Sequence, residues 1–190
     1  MQSEAYRYIL WLWSAVGIVW LAGSVTAKRA ARVEAAGTRA AHMALTVLAF
    51  TLVFTERAGI GPLGWRFVPA SAAIEWAGFV LTFAGCAFAI WARFMLGGNW
   101  SGSVTVKHDH QLVLRGPYLL VRHPIYSGAL LGLLGAAITV GEVRGLAGFA
   151  IAFYAWLMKS RMEEAFMTEQ FGSQYTQYRQ RVKAIIPFIL

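Results

Sequence analysis

Residues 114–128 read LRGPYLLVRHPIYSG and set Arg122, His123, Pro124 and Tyr126 at the head of an apolar run. Arginine offers a planar fork of donors, histidine exchanges a proton near neutral pH, and tyrosine donates from a hydroxyl. Pro124 lacks an N–H and has a fixed φ, which suits the first helical position, and it pushes His123 toward an extended conformation. A helix is therefore predicted to start at Pro124. Its orphan N–H groups and positive dipole end face the membrane–water boundary, where an anionic group such as a carboxylate can be held. Singly, each residue has a structural account: Arg122 as a positive-inside anchor, Tyr126 as an interface aromatic, Pro124 as a helix start. Together at one helix start, they form a candidate site.

Glu163 and Glu164 are adjacent acids just beyond the last apolar run, beside Arg161, against the basic trend of the other polar segments. They read either as a solvated, partly ion-paired helix face or as carboxylates for an ammonium or ribose hydroxyls of a cationic cofactor. His108 and His110 flank Asp109. A catalytic zinc needs three protein ligands, and with neither HExxH nor paired cysteines present, the expectation is a solvated loop and no metal. Gly128 and Gly132 form a GxxxG, followed by Gly135, which signals close helix packing or, alternatively, room for a ligand beside the backbone. Walker and GxSxG motifs are absent.

The elements that position these residues follow from composition. With 58% hydrophobic and only 14% charged residues and a mean hydropathy of +0.53, the chain belongs in a bilayer. The net charge of +8 does not mark a nucleic-acid partner, because the basic residues lie between apolar runs rather than on one face. Cys86 is the only cysteine, so an intrachain disulfide is impossible. Membrane helices are predicted over 8–27, 40–54, 74–96, 124–140 and 146–158, the last short for the roughly 30 Å of hydrocarbon unless it extends toward Arg161. From Lys159 onward, Phe171, Tyr175, Tyr178 and Val182 recur at helical spacing, predicting an interfacial helix that Gly172 interrupts and Pro187 ends.

Of the 17 basic residues, only Arg7, Arg57, Arg66 and Arg144 fall outside when the N-terminus is placed outside and the C-terminus inside. Five crossings with that orientation satisfy the positive-inside rule. The fold expected is an all-α integral-membrane protein with about five transmembrane helices and a C-terminal interfacial helix. It forms a single domain, residues 1–190, with a three-helix part over 1–92 and a cofactor-binding part over 93–190.

The order GPY (Gly116 to Tyr118), RHPxYxG (Arg122 to Gly128), a membrane hairpin, EE (Glu163, Glu164), FGxxYxxY (Phe171 to Tyr178) and IIP (Ile185 to Pro187) resembles the isoprenylcysteine carboxyl methyltransferase family, grouped with the integral-membrane phospholipid methyltransferases. The likeness covers residues 93–187. It implies S-adenosylmethionine as cofactor, held between the RHP segment, the fourth helix and the C-terminal segment. It implies Tyr118, Leu119, His123, Pro124, Tyr126 and Gly128 around the cofactor, Glu163 and Glu164 on its polar groups, and Arg122 fixing the pocket or a substrate carboxylate. Arg122, His123 and Glu163 are the implied catalytic set. The implied partners are a lipophilic or prenylated substrate and membrane lipids, with no nucleic acid, in a multi-pass protein of a bacterial inner membrane whose active site is cytoplasmic.

Methyl transfer from a sulfonium depends mainly on positioning, so this sparse set is chemically sufficient. A carboxylate acceptor needs no base, whereas an amine must lose a proton, which His123 or a glutamate can take. The competing readings are a lipid-amine N-methyltransferase, a membrane sterol-reductase-like enzyme using a nicotinamide cofactor, and a non-enzymatic scaffold with an anionic-lipid site.

Overall fold

A computed structural model describes residues 3–24, 30–100, 105–107 and 112–190. His108, Asp109 and His110 lie outside the described residues. Six α-helices dominate: α1 (Glu4–Ser24), α2 (Ala36–Phe54), α3 (Ala72–Leu96), α4 (Pro124–Val140), α5 (Val143–Phe171) and α6 (Ser173–Arg181). A short antiparallel pair, β1 (Ala30–Val33) and β2 (Thr105–Lys107), joins the segments after α1 and α3, in register Arg32 to Val106 and Val33 to Thr105. Helix periodicity gave no sign of this pairing.

α1, α2 and α3 are long and apolar enough to cross a membrane, and α4 is an apolar helix of 17 residues. Pro124 opens α4 and Gly141, at φ 70° where only glycine is unstrained, closes it, so both predicted ends coincide with the structure. α5 corrects the prediction. It does not stop near Met158 but runs 29 residues to Phe171, so the polar stretch from Lys159 is its continuation rather than a separate interfacial helix. Gly172, at φ 52°, does interrupt the chain, and the separate C-terminal helix is α6, which ends at Arg181, well before Pro187.

The tightest seam joins α3 to α4. Gly78 and Gly85 face Gly128, Gly132 and Gly135 so closely that a Cβ on Gly85 would lie 2.3 Å from the Gly132 nitrogen, and one on Gly128 would lie 2.6 Å from the Ala89 nitrogen. Thr82 Oγ1 donates across this seam to the Gly132 carbonyl at 3.1 Å. The glycines thus serve helix packing, the first of their two readings. α2 packs on α5, and Ile9, Val53, Leu133, Ala136, Ala152 and Ile185 fill the space between the helix pairs.

At one end of the bundle the Arg144 guanidinium donates to the carbonyls of Leu52, Val53 and Thr55, satisfying the C-terminus of α2, while Tyr6 donates to the Phe54 carbonyl. The start of α1, the end of α2 and the α4–α5 turn therefore share that end. The RHP segment and α6 share the other.

Candidate active site

His123 is the residue before α4, at φ −121° and ψ 61°, a value of ψ short of fully extended. Its position is fixed from outside the helix. The backbone N–H groups of Arg122 and His123 donate to the carbonyls of Lys183 and Ala184 at 2.8 and 2.9 Å, and Ser127 Oγ donates to the Ile185 carbonyl. The RHP segment and the IIP segment are thus laced together side by side.

The continuation of α5 supplies the acids. Glu164 Oε1 accepts from Arg122 Nε at 2.8 Å and Nη2 at 2.6 Å and lies 3.2 Å from His123 Nε2, while its Oε2 lies 3.3 Å from Arg179 Nε. The remaining Arg122 nitrogen donates to the carbonyls of Arg179 and Val182. Glu163 Oε1 accepts from the Tyr126 hydroxyl at 2.6 Å, and Oε2 lies 3.3 Å from His123 Nδ1. Both ring nitrogens of His123 therefore meet carboxylates, and adjacent glutamates hold opposite edges of one imidazole.

Burial disfavours the charged imidazolium, but the hydrogen bonds and negative charges of Glu163 and Glu164 outweigh it and hold the His123 pKa above its ordinary 6.5. The same contacts act in reverse on the acids. Burial would raise both, yet His123 first, with Lys159 and Tyr126 for Glu163 and Arg122 for Glu164, keeps their pKa values below the ordinary 4.5. The site is a histidine clamped between two carboxylates, an arrangement that favours the protonated ring. Tyr118 and Tyr175 are pushed up by burial first and then by nearby negative charge, so they remain neutral hydroxyls. Tyr178 donates to the Tyr118 carbonyl, tying α6 to the GPY turn.

The rings of His123 and Tyr126 stack with centroids 5.6 Å apart, Tyr126 continues onto Trp156 at 6.0 Å, and Lys159 Nζ lies 5.9 Å from the Tyr126 centroid. This stack borders a cavity of about 590 Å³. Tyr118, Arg122, His123, Tyr126, Glu163 and Tyr175 give its lining polar groups, and Trp13, Gly17, Trp20, Met43, Val47 and Phe50 of α1 and α2 give it apolar surface.

Of the residues singled out in the sequence, Tyr118, Arg122, His123, Pro124, Tyr126 and Glu163 all line this cavity. Three do not. Leu119 is 62% exposed and points away, Gly128 is buried in the α3 seam, and Glu164 is spent on Arg122, His123 and Arg179. Arg122 is committed to the protein's own groups, so of its two implied roles the geometry fits that of fixing the pocket. Trp156 and Lys159 went unassigned in the sequence because hydropathy treats them as the end of a membrane helix, although their spacing from Glu163 on one helix was a usable signal. Glu34, Arg39 and His42 also line the cavity, from a segment with no motif.

The phospholipid methyltransferase family model matches residues 73–174, which contain every acid and aromatic residue of the cluster except Tyr175 and Tyr178. The chain belongs to this family. Among curated proteins, it is 27% identical over 119 residues to the "Probable protein-S-isoprenylcysteine O-methyltransferase" of Oryza sativa subsp. indica, covering 61% of this chain and 62% of that one. It is 33% identical over 96 residues to the Arabidopsis thaliana "Protein-S-isoprenylcysteine O-methyltransferase B", covering 49% of each, and 34% identical over 101 residues to the Schizosaccharomyces pombe "Protein-S-isoprenylcysteine O-methyltransferase", covering 52% of this chain and 43% of the other. The matches therefore span 43–62% of these relatives' length. For this phospholipid methyltransferase family member, apolar helices and family membership together establish a membrane protein.

Proposed function

We propose that the chain is an S-adenosylmethionine-dependent methyltransferase that esterifies the carboxylate of a lipophilic, isoprenylcysteine-type acceptor. One observation carries the reading: a single cavity joins the His123–Tyr126–Glu163 cluster to an apolar channel between α1 and α2. A water-soluble donor and a lipid-soluble acceptor can meet only in a space with both characters, and its volume falls in the roughly 300–1,000 Å³ range of small-molecule sites.

The donor set suits the cofactor's charge and shape. Glu163 presents a carboxylate to the cavity, and the stacked rings of Tyr126 and Trp156 present flat aromatic faces. Tyr118, His123, Tyr126 and Glu163 would hold it, and when bound it supplies an electrophilic methyl on a sulfonium.

The chain's own residues then act by positioning. Glu164 and Arg122 fix His123, His123 and Tyr126 fix Glu163, and the aromatic and aliphatic side chains of α1 and α2 give the acceptor an apolar surface. The acceptor class follows from the state of His123. With both ring nitrogens against carboxylates, His123 has neither nitrogen free to take a proton from an acceptor, so an acceptor that needs no deprotonation fits best. A lipid amine is the second reading, favoured by the family description, with Glu163 as the proton acceptor. We assign the N-terminus to the outside and the RHP–α6 end to the cytoplasm, on the basic-residue count.

The test is incubation of the solubilised protein with methyl-labelled cofactor and, in separate reactions, N-acetyl-farnesylcysteine and a total lipid extract. Label in a base-labile ester of the former supports the proposal. Label only in lipid amines supports the second reading, and no label in either, with no S-adenosylhomocysteine binding by calorimetry, removes both.

A further inference from the structure

Resting on the carboxylate reading, we propose that Arg39, with His42 beside it, binds the anionic group of the acceptor. A carboxylate acceptor needs a cationic partner in the cavity, and the obvious candidate, Arg122, has its Nε and Nη2 on Glu164 and its Nη1 on two backbone carbonyls. Its side chain is only 9% exposed, and turning it toward a ligand would leave Glu164 buried without its closest partner. Lys159 lies over the Tyr126 ring.

Arg39 differs on each point. It lines the same cavity from the opposite wall, is exposed, and among the described residues no carboxylate pairs with it. It stands in the first turn of α2, which holds no acidic residue and no side-chain cap, so the dipole and the N–H groups there favour the same sign of ligand, the buried Glu34 lying just before the N-cap residue Ala35. His42 follows one turn further, its Nδ1 3.4 Å from the buried Glu34 Oε2 without a hydrogen bond between the two atoms, and both residues line the cavity. Both residues lie outside the 73–174 family match. The reaction machinery and the recognition of the acceptor's head are thereby carried by different parts of the chain.

Intrinsic tryptophan fluorescence reads this directly, because Trp13, Trp20, Trp100 and Trp156 line the cavity. The full chain in detergent is titrated with N-acetyl-farnesylcysteine and with its methyl ester, which differ only in the anionic group. The free acid is expected to bind at least about tenfold more tightly than the ester, the scale of one charge-assisted hydrogen bond. Arg39→Gln should abolish that preference, Arg39→Lys should keep part of it, and S-adenosylhomocysteine affinity should be unchanged in both. A wild-type protein with no preference for the acid, or an Arg39→Gln variant that retains it, overturns the assignment. Discrimination by Arg39 without methyl transfer would instead remove the proposed reaction while leaving this site in place.

Discussion

The two walls of the cavity are built by opposite rules. On the α4–α5–α6 side, Arg122, His123, Tyr126, Glu163, Glu164 and Arg179 hold one another, with Arg122 and Tyr126 reaching partners 37 to 57 residues away in sequence. The α3–α4 glycine seam behind them leaves no room for a single methyl. On the α1–α2 side the helix backbones stay apart and meet through side chains, Trp13 against Phe50 at 5.0 Å and the Tyr6 hydroxyl on the Phe54 carbonyl. Gly17 borders the cavity with nothing within 4 Å of where its Cβ would stand. A polar donor calls for a rigid, charge-balanced receptor, since misplacement by about 1 Å can lower a rate 10²-fold. A flexible apolar chain calls only for an open, greasy groove.

The contrast is tested most severely by Glu164→Ala. Removing this carboxylate strands Arg122 and His123 in a site where the side chains of all three are 8–9% exposed. Breaking a buried pair from one side costs about 3–5 kcal/mol, so thermal unfolding in detergent should show the largest loss of any single variant on this wall, together with loss of S-adenosylhomocysteine binding. Glu164→Gln, which keeps the shape and one acceptor oxygen, should fall between it and wild type. If Glu164→Ala unfolds like wild type, the rigid-wall account is wrong.

Gly85→Ala is expected to rank next. Its added Cβ would meet the Gly132 nitrogen at 2.3 Å and the Gly128 carbonyl at 2.5 Å, both backbone atoms that cannot swing aside. Overpacking of this kind costs about 1–3 kcal/mol, and because α4 carries His123 and Tyr126, cofactor affinity should fall with stability in the same titrations.

How much of this was legible in the sequence depends on whether the signal was local. α4 was readable to the residue because Pro124 and Gly141 mark its ends by their own backbone chemistry. α5 was cut short because hydropathy falls at Lys159, although Lys159, Arg161, Met162, Glu163 and Glu164 are good helix formers and the partners of the two acids, Arg122, His123 and Tyr126, are held in place by the fold. Glu163 and Glu164 looked alike as neighbours. They diverge because adjacent helical positions point about 100° apart, aiming one into the cavity and the other at Arg122, and only packing decides which. Leu119 lies between two motifs but faces outward, whereas Arg39 and His42 lie near none and line the cavity.

The pH dependence follows from the same cluster, with a smaller expected effect. His123 has a raised pKa in the folded protein, so its stabilisation is complete below its ordinary 6.5 and is lost as pH rises through the raised value. Glu163 and Glu164 have lowered values, so theirs is complete above the ordinary 4.5 and is lost as pH falls. Unfolding temperature should therefore decline as pH rises above 6.5 through the raised value, and His123→Gln should flatten that decline while lowering stability at pH 6. An unaltered alkaline slope in the variant would assign the decline to other groups.

The smallest expected effect comes from repeating the glycine-to-alanine change on the open wall. At Gly17 the new methyl meets no atom within 4 Å, so the steric cost that dominates at Gly85 vanishes. What remains is the backbone entropy that alanine saves in a helix interior, about 0.5–1 kcal/mol in the stabilising direction. Unfolding temperatures of Gly17→Ala and Gly85→Ala should thus move in opposite directions, although the substitution is the same and both glycines sit in the middle of apolar helices. Gly17→Leu extends the test to function. A larger side chain there narrows the channel between Trp20, Met43 and Val47, so acceptor KM should rise while kcat at saturation and S-adenosylhomocysteine affinity stay at wild-type values. A fall in cofactor affinity in Gly17→Leu would mean that the two walls are coupled, and that the loose side helps to shape the rigid one.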